Sequence, residues 1–214
     1  MKRSAITYLY QWKESNHRKP LIMLGARQVG KTWLMQEFAK EAYTNSAYVN
    51  FEDNEMLREL FAHDFDINRI INGVQWSTGV ALEEYTLIFL DEIQEAPRGI
   101  TALKYFAEKA PQYHVIAAGS LLEIAMHQND SFPVGKVDFM HLYPLSFFEF
   151  LDAIGESRIK DLLMSKDWSM ITMFRNQLEE RLRQYYIIGG MPEVVSSFAN
   201  EGNLTRVRTI QKAI

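Results

Sequence analysis

The first residues that could do chemistry are Gly25-Ala-Arg-Gln-Val-Gly-Lys-Thr32, which fit the pattern G-x-x-x-x-G-K-[ST] at every fixed position. Glycines let the backbone bend tightly and turn successive N–H groups inward, forming a cradle for an anion. A helix beginning beside Lys31 would add the positive end of its dipole. Such a cradle suits polyphosphate. Lys31 would bridge the outer two phosphates, and Thr32 would offer its hydroxyl oxygen to Mg²⁺. The nucleotide-contacting set is then Gly25, Ala26, Arg27, Gln28, Val29, Gly30, Lys31, Thr32 and Trp33. Arg27 and Gln28 also read as ordinary solvated loop side chains.

About sixty residues downstream, the apolar run Thr86-Leu-Ile-Phe-Leu90 ends in Asp91-Glu92. Carboxylates at the C-terminal end of a buried strand lie where open α/β sheets bind ligands. Asp91 would hold the metal, directly or through water. Glu92 would orient or deprotonate an attacking water. Guanine-specific proteins carry Asp-x-x-Gly at this place, whereas this chain has Asp91-Glu-Ile-Gln94 and no Asn-Lys-x-Asp reader. ATP is therefore favoured over GTP.

Two further segments are ambiguous. His114-Val-Ile-Ala-Ala-Gly-Ser120 is a strand ending in a polar residue. Ser120 reads either as a catalytic sensor of the γ-phosphate and lytic water, or as the N-cap of a helix closed by Glu123. Gly189-Gly-Met-Pro192 reads either as a helix stop with Pro at the next first turn, or as a hinge whose Pro192 packs on adenine. The five histidines, His17, His63, His114, His127 and His141, have no metal-ligand spacing.

These groups need elements to position them, and short apolar runs alternate with helical periodicity as in an α/β domain with a parallel sheet. Strands are expected at Leu21–Leu24, Ala47–Phe51, Thr86–Leu90, His114–Ala118 and Val137–Leu142. Leu34, Met35, Phe38, Ala39 and Ala42 share one helical face. So do Met56, Leu57, Leu60 and Phe61, and again Leu103, Phe106, Ala107 and Ala110. Ser146-Phe-Phe-Glu149 is a capping box. Beyond it the pattern is helical, with Ile171, Phe174, Leu178, Leu182 and Tyr185 on one stripe and Phe147, Phe148 and Phe150 as core. A soft boundary near 147–155 divides a core, residues 1–150, from a helical segment, residues 151–214. Leu204, Val207, Ile210 and Ile214 form a helix face that runs to the last residue without a cap, so the chain is expected to be a fragment of a longer protein.

The 214 residues carry a net charge of −4, so the chain as a whole is no polyelectrolyte partner for nucleic acid. The charge is uneven: residues 1–40 hold Lys2, Arg3, Lys13, Arg18, Lys19, Arg27, Lys31 and Lys40 against Glu14 and Glu37. With no cysteine, disulfide scaffolding, thiol catalysis and Cys-based zinc sites are excluded. Met1-Lys-Arg-Ser4 precedes no secretory apolar segment, and the apolar runs are too short to span a bilayer. A cytoplasmic protein with no membrane partner is expected.

Together, Leu21–Thr32, Leu90-Asp-Glu-Ile-Gln94, Ala118-Gly-Ser120, Tyr143-Pro-Leu-Ser-Phe-Phe-Glu149 and Gly189-Gly-Met-Pro192 resemble the predicted ATPases of the AAA+ superfamily grouped as AAA family 14. The resemblance covers essentially the whole chain. It implies a three-layer αβα P-loop NTPase core of the additional-strand type, followed by a small helical lid and a C-terminal domain sometimes likened to nucleases. It also implies ATP and Mg²⁺ as cofactors and ATP hydrolysis that drives or gates the C-terminal module. A slow nucleotide-dependent switch in signalling or defence, and a DNA-handling ATPase, are the alternatives. A homo-oligomer and nucleic acid stay open as partners. Similar proteins often carry Gly-Arg where this chain has Gly135-Lys136; Lys136 lacks the planar fork of an arginine finger.

Overall fold

A strand buried on both faces must be paired on both edges and covered by helices, which suits unbroken apolar runs. Leu21–Leu24 (β1), Leu87–Asp91 (β3) and His114–Ala118 (β4) are buried at every position. The computed structural model describes residues 1–120, 122 and 133–214. Its five strands form one parallel sheet in the order β2-β3-β4-β1-β5, with Ser46–Asn50 as β2 and Asp138–His141 as β5. Strand β4 lies between β1 and β3, which is the additional-strand arrangement. The observed strands differ from the expected ones by a residue at most ends. The ladder of β3 runs through Asp91, opposite Asn50, so this carboxylate closes the strand instead of following it.

Alternation along the strands assigns the two helical layers. Leu21, Met23, Leu87, Phe89 and Ile116 face Leu9 and Trp12 of Ala5–Glu14 (α1) and Leu34, Met35 and Phe38 of Lys31–Ala42 (α2). Ile22, Leu24, Val49, Ile88 and Leu90 face the opposite layer. That layer is Glu55–His63 (α3), Ile67–Thr78 (α4) and Gly99–Lys109 (α5). Helices α1 and α4 are additions to the sequence reading. The signal for α4 is present in the sequence: Ile67, Ile70, Ile71 and Val74 share a face, Asp66 caps the N–H groups of Asn68 and Arg69, and Gly79 ends the helix in the left-handed region.

The chain divides into two compact units, Ala5–Leu142 and Met1–Ser4 with Tyr143–Ile214. The second unit is all helical: Phe147–Ala153 (α6), Ser157–Ser165 (α7), Trp168–Met173 (α8), Arg175–Ile188 (α9), Pro192–Glu201 (α10) and Leu204–Ala213 (α11). Its core gathers Leu145, Phe150, Ile188, Val194, Val195 and Val207, whereas Phe148 is exposed. The Ser146–Glu149 capping box is present in full. Glu149 does more than cap: its Oε1 accepts from the main chain and hydroxyl of Ser4 at 2.8 and 2.9 Å and pairs with buried Arg3 at 3.3 Å. Among the described residues no helix is long and apolar enough to cross a membrane.

At the N-terminal end of β4, His114 is buried beneath Trp12, Tyr43 and Tyr85, and its Nδ1 lies 2.6 Å from the Tyr43 hydroxyl. Burial, aided by the charges of Arg18 and Lys13, pushes its pKa down to about 4 from 6.5. The unfolded chain therefore takes up a proton below pH 6.5 that the folded chain refuses until about pH 4. Stability linked to His114 is complete above pH 6.5 and is lost as the pH falls toward 4, by roughly 3 kcal/mol. In urea unfolding at pH 7 and pH 4.5, His114→Gln is expected to show a smaller drop than the wild type. Equal drops would show that His114 does not titrate in this way.

Candidate nucleotide site

The loop between β1 and α2 has the geometry its glycines predict. Gly25 has φ 152°, and a Cβ there would sit 2.4 Å from the Leu142 carbonyl oxygen, so no side chain fits. Gly30 caps α2 in the left-handed region, and the helix has no side-chain cap and no acid in its first turn. Its leading N–H groups are thus left to an anion. Val29 is fully buried in the core, so only its main chain can serve a ligand. Arg27, Gln28 and Trp33 are exposed, and Gln28 has φ 62°.

Lys31 is buried and folds over the loop, donating to the carbonyl oxygens of Gly25 at 2.8 Å and Ala26 at 3.0 Å. Desolvation lowers its pKa, and the charges of Glu92 and Asp91 oppose that shift. The Thr32 hydroxyl donates to Asp91 Oδ2 at 2.8 Å, closing a contact between residues 59 apart in sequence. The Glu92 N–H donates to Asp91 Oδ1 at 3.1 Å. A hydroxyl and a carboxylate are hard oxygen donors, as Mg²⁺ requires, and this ion usually takes only one or two protein ligands beside phosphates and water. No group of three or more His, Asp or Glu among the described residues could hold a metal unaided.

Glu92 has φ 49°, the left-handed region, which a non-glycine residue occupies only when its surroundings impose it. Those surroundings are three donors. Ser120 gives its hydroxyl to Oε1 at 2.7 Å and its N–H to Oε2 at 3.1 Å, and Gln94 Nε2 donates to Oε2 at 2.5 Å. Desolvation alone would raise the Glu92 pKa, but the hydrogen bonds from Gln94 and Ser120 and the charge of Lys31 outweigh it, and the net shift is downward. Ser120 therefore meets the second carboxylate of the Asp-Glu pair. Its expected helix partner, Glu123, lies outside the described residues, as does His127.

Two residues join the site in roles that the sequence does not assign. Gln94 is one; its Oε1 is buried without a hydrogen-bond partner among the described residues, tight against Gly119. Tyr48 is the other, and its hydroxyl donates to Asp91 Oδ2 at 2.9 Å. Period-two alternation could have found it, since Tyr48 shares a face of β2 with Asn50, which pairs with Asp91. Pro192 is placed by the helical unit, at the first turn of α10. Just before it, Gly190 packs against Leu145, where a Cβ would meet the carbonyl oxygen at 2.3 Å. Turn packing thus accounts for the second glycine of Gly189-Gly-Met-Pro192. Lys136 forms a surface ion pair with Glu108 at 3.0 Å.

A family model described as an AAA domain, AAA family 14, matches residues 17–151. The chain belongs to this AAA domain family. The matched segment contains the loop, the Asp91-Glu92 pair and Ser120, so this AAA domain has a P-loop nucleotide-binding fold of the ATPase type. Among solved structures, Drosophila ORC bound to DNA is similar at 14% identity and a TM-score of 0.55, over 98% of this chain and 66% of that one. The Aeropyrum pernix ORC1 protein in complex with DNA gives 13% identity and a TM-score of 0.48, over 73% of this chain and 49% of that one. The AAA domain chain thus spans half to two thirds of the length of these two proteins. At such identities the likeness concerns the fold. A search of curated proteins found no match.

Proposed function

We propose that this AAA domain binds Mg²⁺·ATP in the Gly25–Thr32 loop and hydrolyses it to ADP and phosphate. The observation that carries the reading is the meeting of Thr32 and Asp91 at 2.8 Å, beside Lys31 and Glu92. Loop N–H groups and the start of α2 bind the phosphates, and Lys31 leaves the Gly25 and Ala26 carbonyls to reach the outer two. Mg²⁺, when bound through Thr32 and Asp91, would neutralise charge on the β- and γ-phosphate oxygens. Glu92 takes a proton from the water that attacks the γ-phosphorus, while the bond to the β,γ-bridging oxygen breaks and ADP departs. Ser120 aligns Glu92. In this reading residues 1–150 hold the ATPase core, and residues 151–214 form a helical lid. ATP turnover in a cytoplasmic protein, as a monomer or homo-oligomer, would drive a C-terminal module.

One observation favours the switch-like variant of this reading. Three of the about four acceptor sites of the Glu92 carboxylate are already engaged and its pKa is pulled down, so it is a weaker base than a free glutamate. Slow turnover is the consequence. A nucleic-acid partner has weaker support. ORC bound to DNA shares only the fold, and several cations of residues 1–40 are used internally: Arg3 by Glu149, Lys13 by the Ala42 carbonyl and Arg18 by the Lys13 carbonyl.

The test is competition binding with a fluorescent ATP analogue, followed by phosphate release without any added acceptor. ATP and ADP are expected to displace the analogue, GTP to compete poorly, and phosphate to appear slowly. Absence of displacement by millimolar ATP would overturn the proposal. ADP formed only with a small-molecule acceptor, the phosphoryl group ending on that acceptor and no phosphate released, would make the chain a kinase.

A further inference from the structure

Tyr48 stands outside every motif of the site, yet its hydroxyl shares Asp91 Oδ2 with Thr32. The two donors come from different layers, Thr32 from α2 and Tyr48 from the edge strand β2. With the Glu92 N–H on Oδ1, three hydrogen bonds fix the carboxylate plane, and only Tyr48 approaches from the edge of the sheet. The Tyr48 ring is held in turn by Phe89, two residues before Asp91 on β3, at 5.2 Å between centroids. Phe89 is also its register partner across the ladder, so the strand pairing sets where the phenol stands.

We infer that Tyr48 is a positioning residue for Mg²⁺, orienting the Asp91 carboxylate so that the remaining lone pair of Oδ1 faces the cation or its water shell. The inference rests on the Mg²⁺·ATP reading and deepens it. Partners that hydrogen-bond a ligating group from behind fix its orientation and tune its affinity, and their loss typically costs ten- to a hundredfold. A phenol is well suited to this place. It donates to Asp91 without adding charge, and a phenol is an O–H donor throughout the neutral range. Thr32 can donate to Asp91 while its lone pairs face the cation, and Tyr48 adds a second donor on the same oxygen from another element. The part of Tyr48 that is exposed, about two fifths of the residue, leaves room for the ring to stay on Asp91 as the loop fills.

Tyr48→Phe removes one oxygen and nothing else. Binding of N-methylanthraniloyl-ATP by the full chain would be titrated with Mg²⁺ and repeated in chelator. The Mg²⁺ concentration at half effect is expected to rise about tenfold in the variant, with metal-free affinity unchanged. A structural role would lower both affinities together. As a second readout, 3-fluorotyrosine at position 48 of the otherwise wild-type chain is expected to shift its ¹⁹F resonance on adding Mg²⁺ to the nucleotide complex. Equal Mg²⁺ requirements in both proteins, or an unmoved resonance, would overturn the role of Tyr48 while leaving the site intact. Failure of the wild type to bind the analogue at all would instead overturn the Mg²⁺·ATP reading on which the inference stands.

Discussion

Lys31→Ala is expected to weaken Mg²⁺·ATP binding about a hundredfold or more, while the chain stays folded. Truncating one partner of a buried, hydrogen-bonded charge pair costs about 2–5 kcal/mol, and each 1.4 kcal/mol is a factor of ten. The upper part of that range applies here for a specific reason. Lys31 sits within reach of the charges of Glu92 and Asp91, which oppose the downward shift that burial gives its pKa. Without its ammonium, two carboxylates would face an incoming polyphosphate with only loop amides and the metal between them. The fold should survive, because α2 is anchored by Leu34, Met35 and Phe38, and Lys31 itself contributes only two hydrogen bonds to loop carbonyls. Calorimetric titration with Mg²⁺·ATP, alongside thermal unfolding, separates the two effects. Unchanged affinity in a folded variant would remove the loop from the site.

How much of this site could be read before any coordinates depended on whether each contact was local. The phosphate loop is a local device: its glycines, its lysine and the helix that follows lie within one turn of chain, so spacing alone revealed it. Gly25 even faces the constraint that its residue type implies, the close approach of Leu142. The sheet was nearly as legible, because β1, β3 and β4 are buried on both faces and appear as unbroken apolar runs. Edge strand β2 alternates between exposed and buried positions, and on such a strand the exposed positions usually carry no message. Tyr48 was overlooked for that reason. Its meaning comes from the register of β2 on β3, which a single sequence does not display.

Ser120 shows a subtler limit. Its spacing to Glu123 fits a capping box, and its place at the end of β4 fits a sensor; both are statements about one hydroxyl with several lone pairs. Only the folded chain shows that the hydroxyl turns to Glu92, 28 residues away. Gln94 was legible as a departure from the guanine-nucleotide pattern. Its hydrogen bond back to Glu92 depends on the 3₁₀ turn Ile93–Glu95 and on the left-handed conformation of Glu92 itself. Those are backbone facts that no residue type announces. Helix α4 is the opposite case: its apolar period, its Asp66 cap and its terminal Gly79 are all local and legible in the sequence.

Glu92→Gln is expected to leave Mg²⁺·ATP affinity near the wild-type value and to slow phosphate release about 10²- to 10⁴-fold, the usual contribution of a general base. The network around Glu92 makes this substitution a clean test. Oε2 accepts from Gln94 and from the Ser120 N–H, and a glutamine oxygen can keep both bonds. Among the described residues Oε1 accepts only from the Ser120 hydroxyl, which can reverse and accept from an amide N–H placed there. The amide matches the carboxylate in shape and keeps the two bonds to its oxygen, so the left-handed backbone has little new reason to relax. What the amide cannot do is accept a proton from water. A rate loss with binding retained would thus report base chemistry and not a disturbed loop. If single-turnover phosphate release were instead unchanged, the three donors on Glu92 would have to be read as a structural clasp at the end of β3. The proton from water would then need another acceptor, the γ-phosphate itself being the nearest in chemical terms.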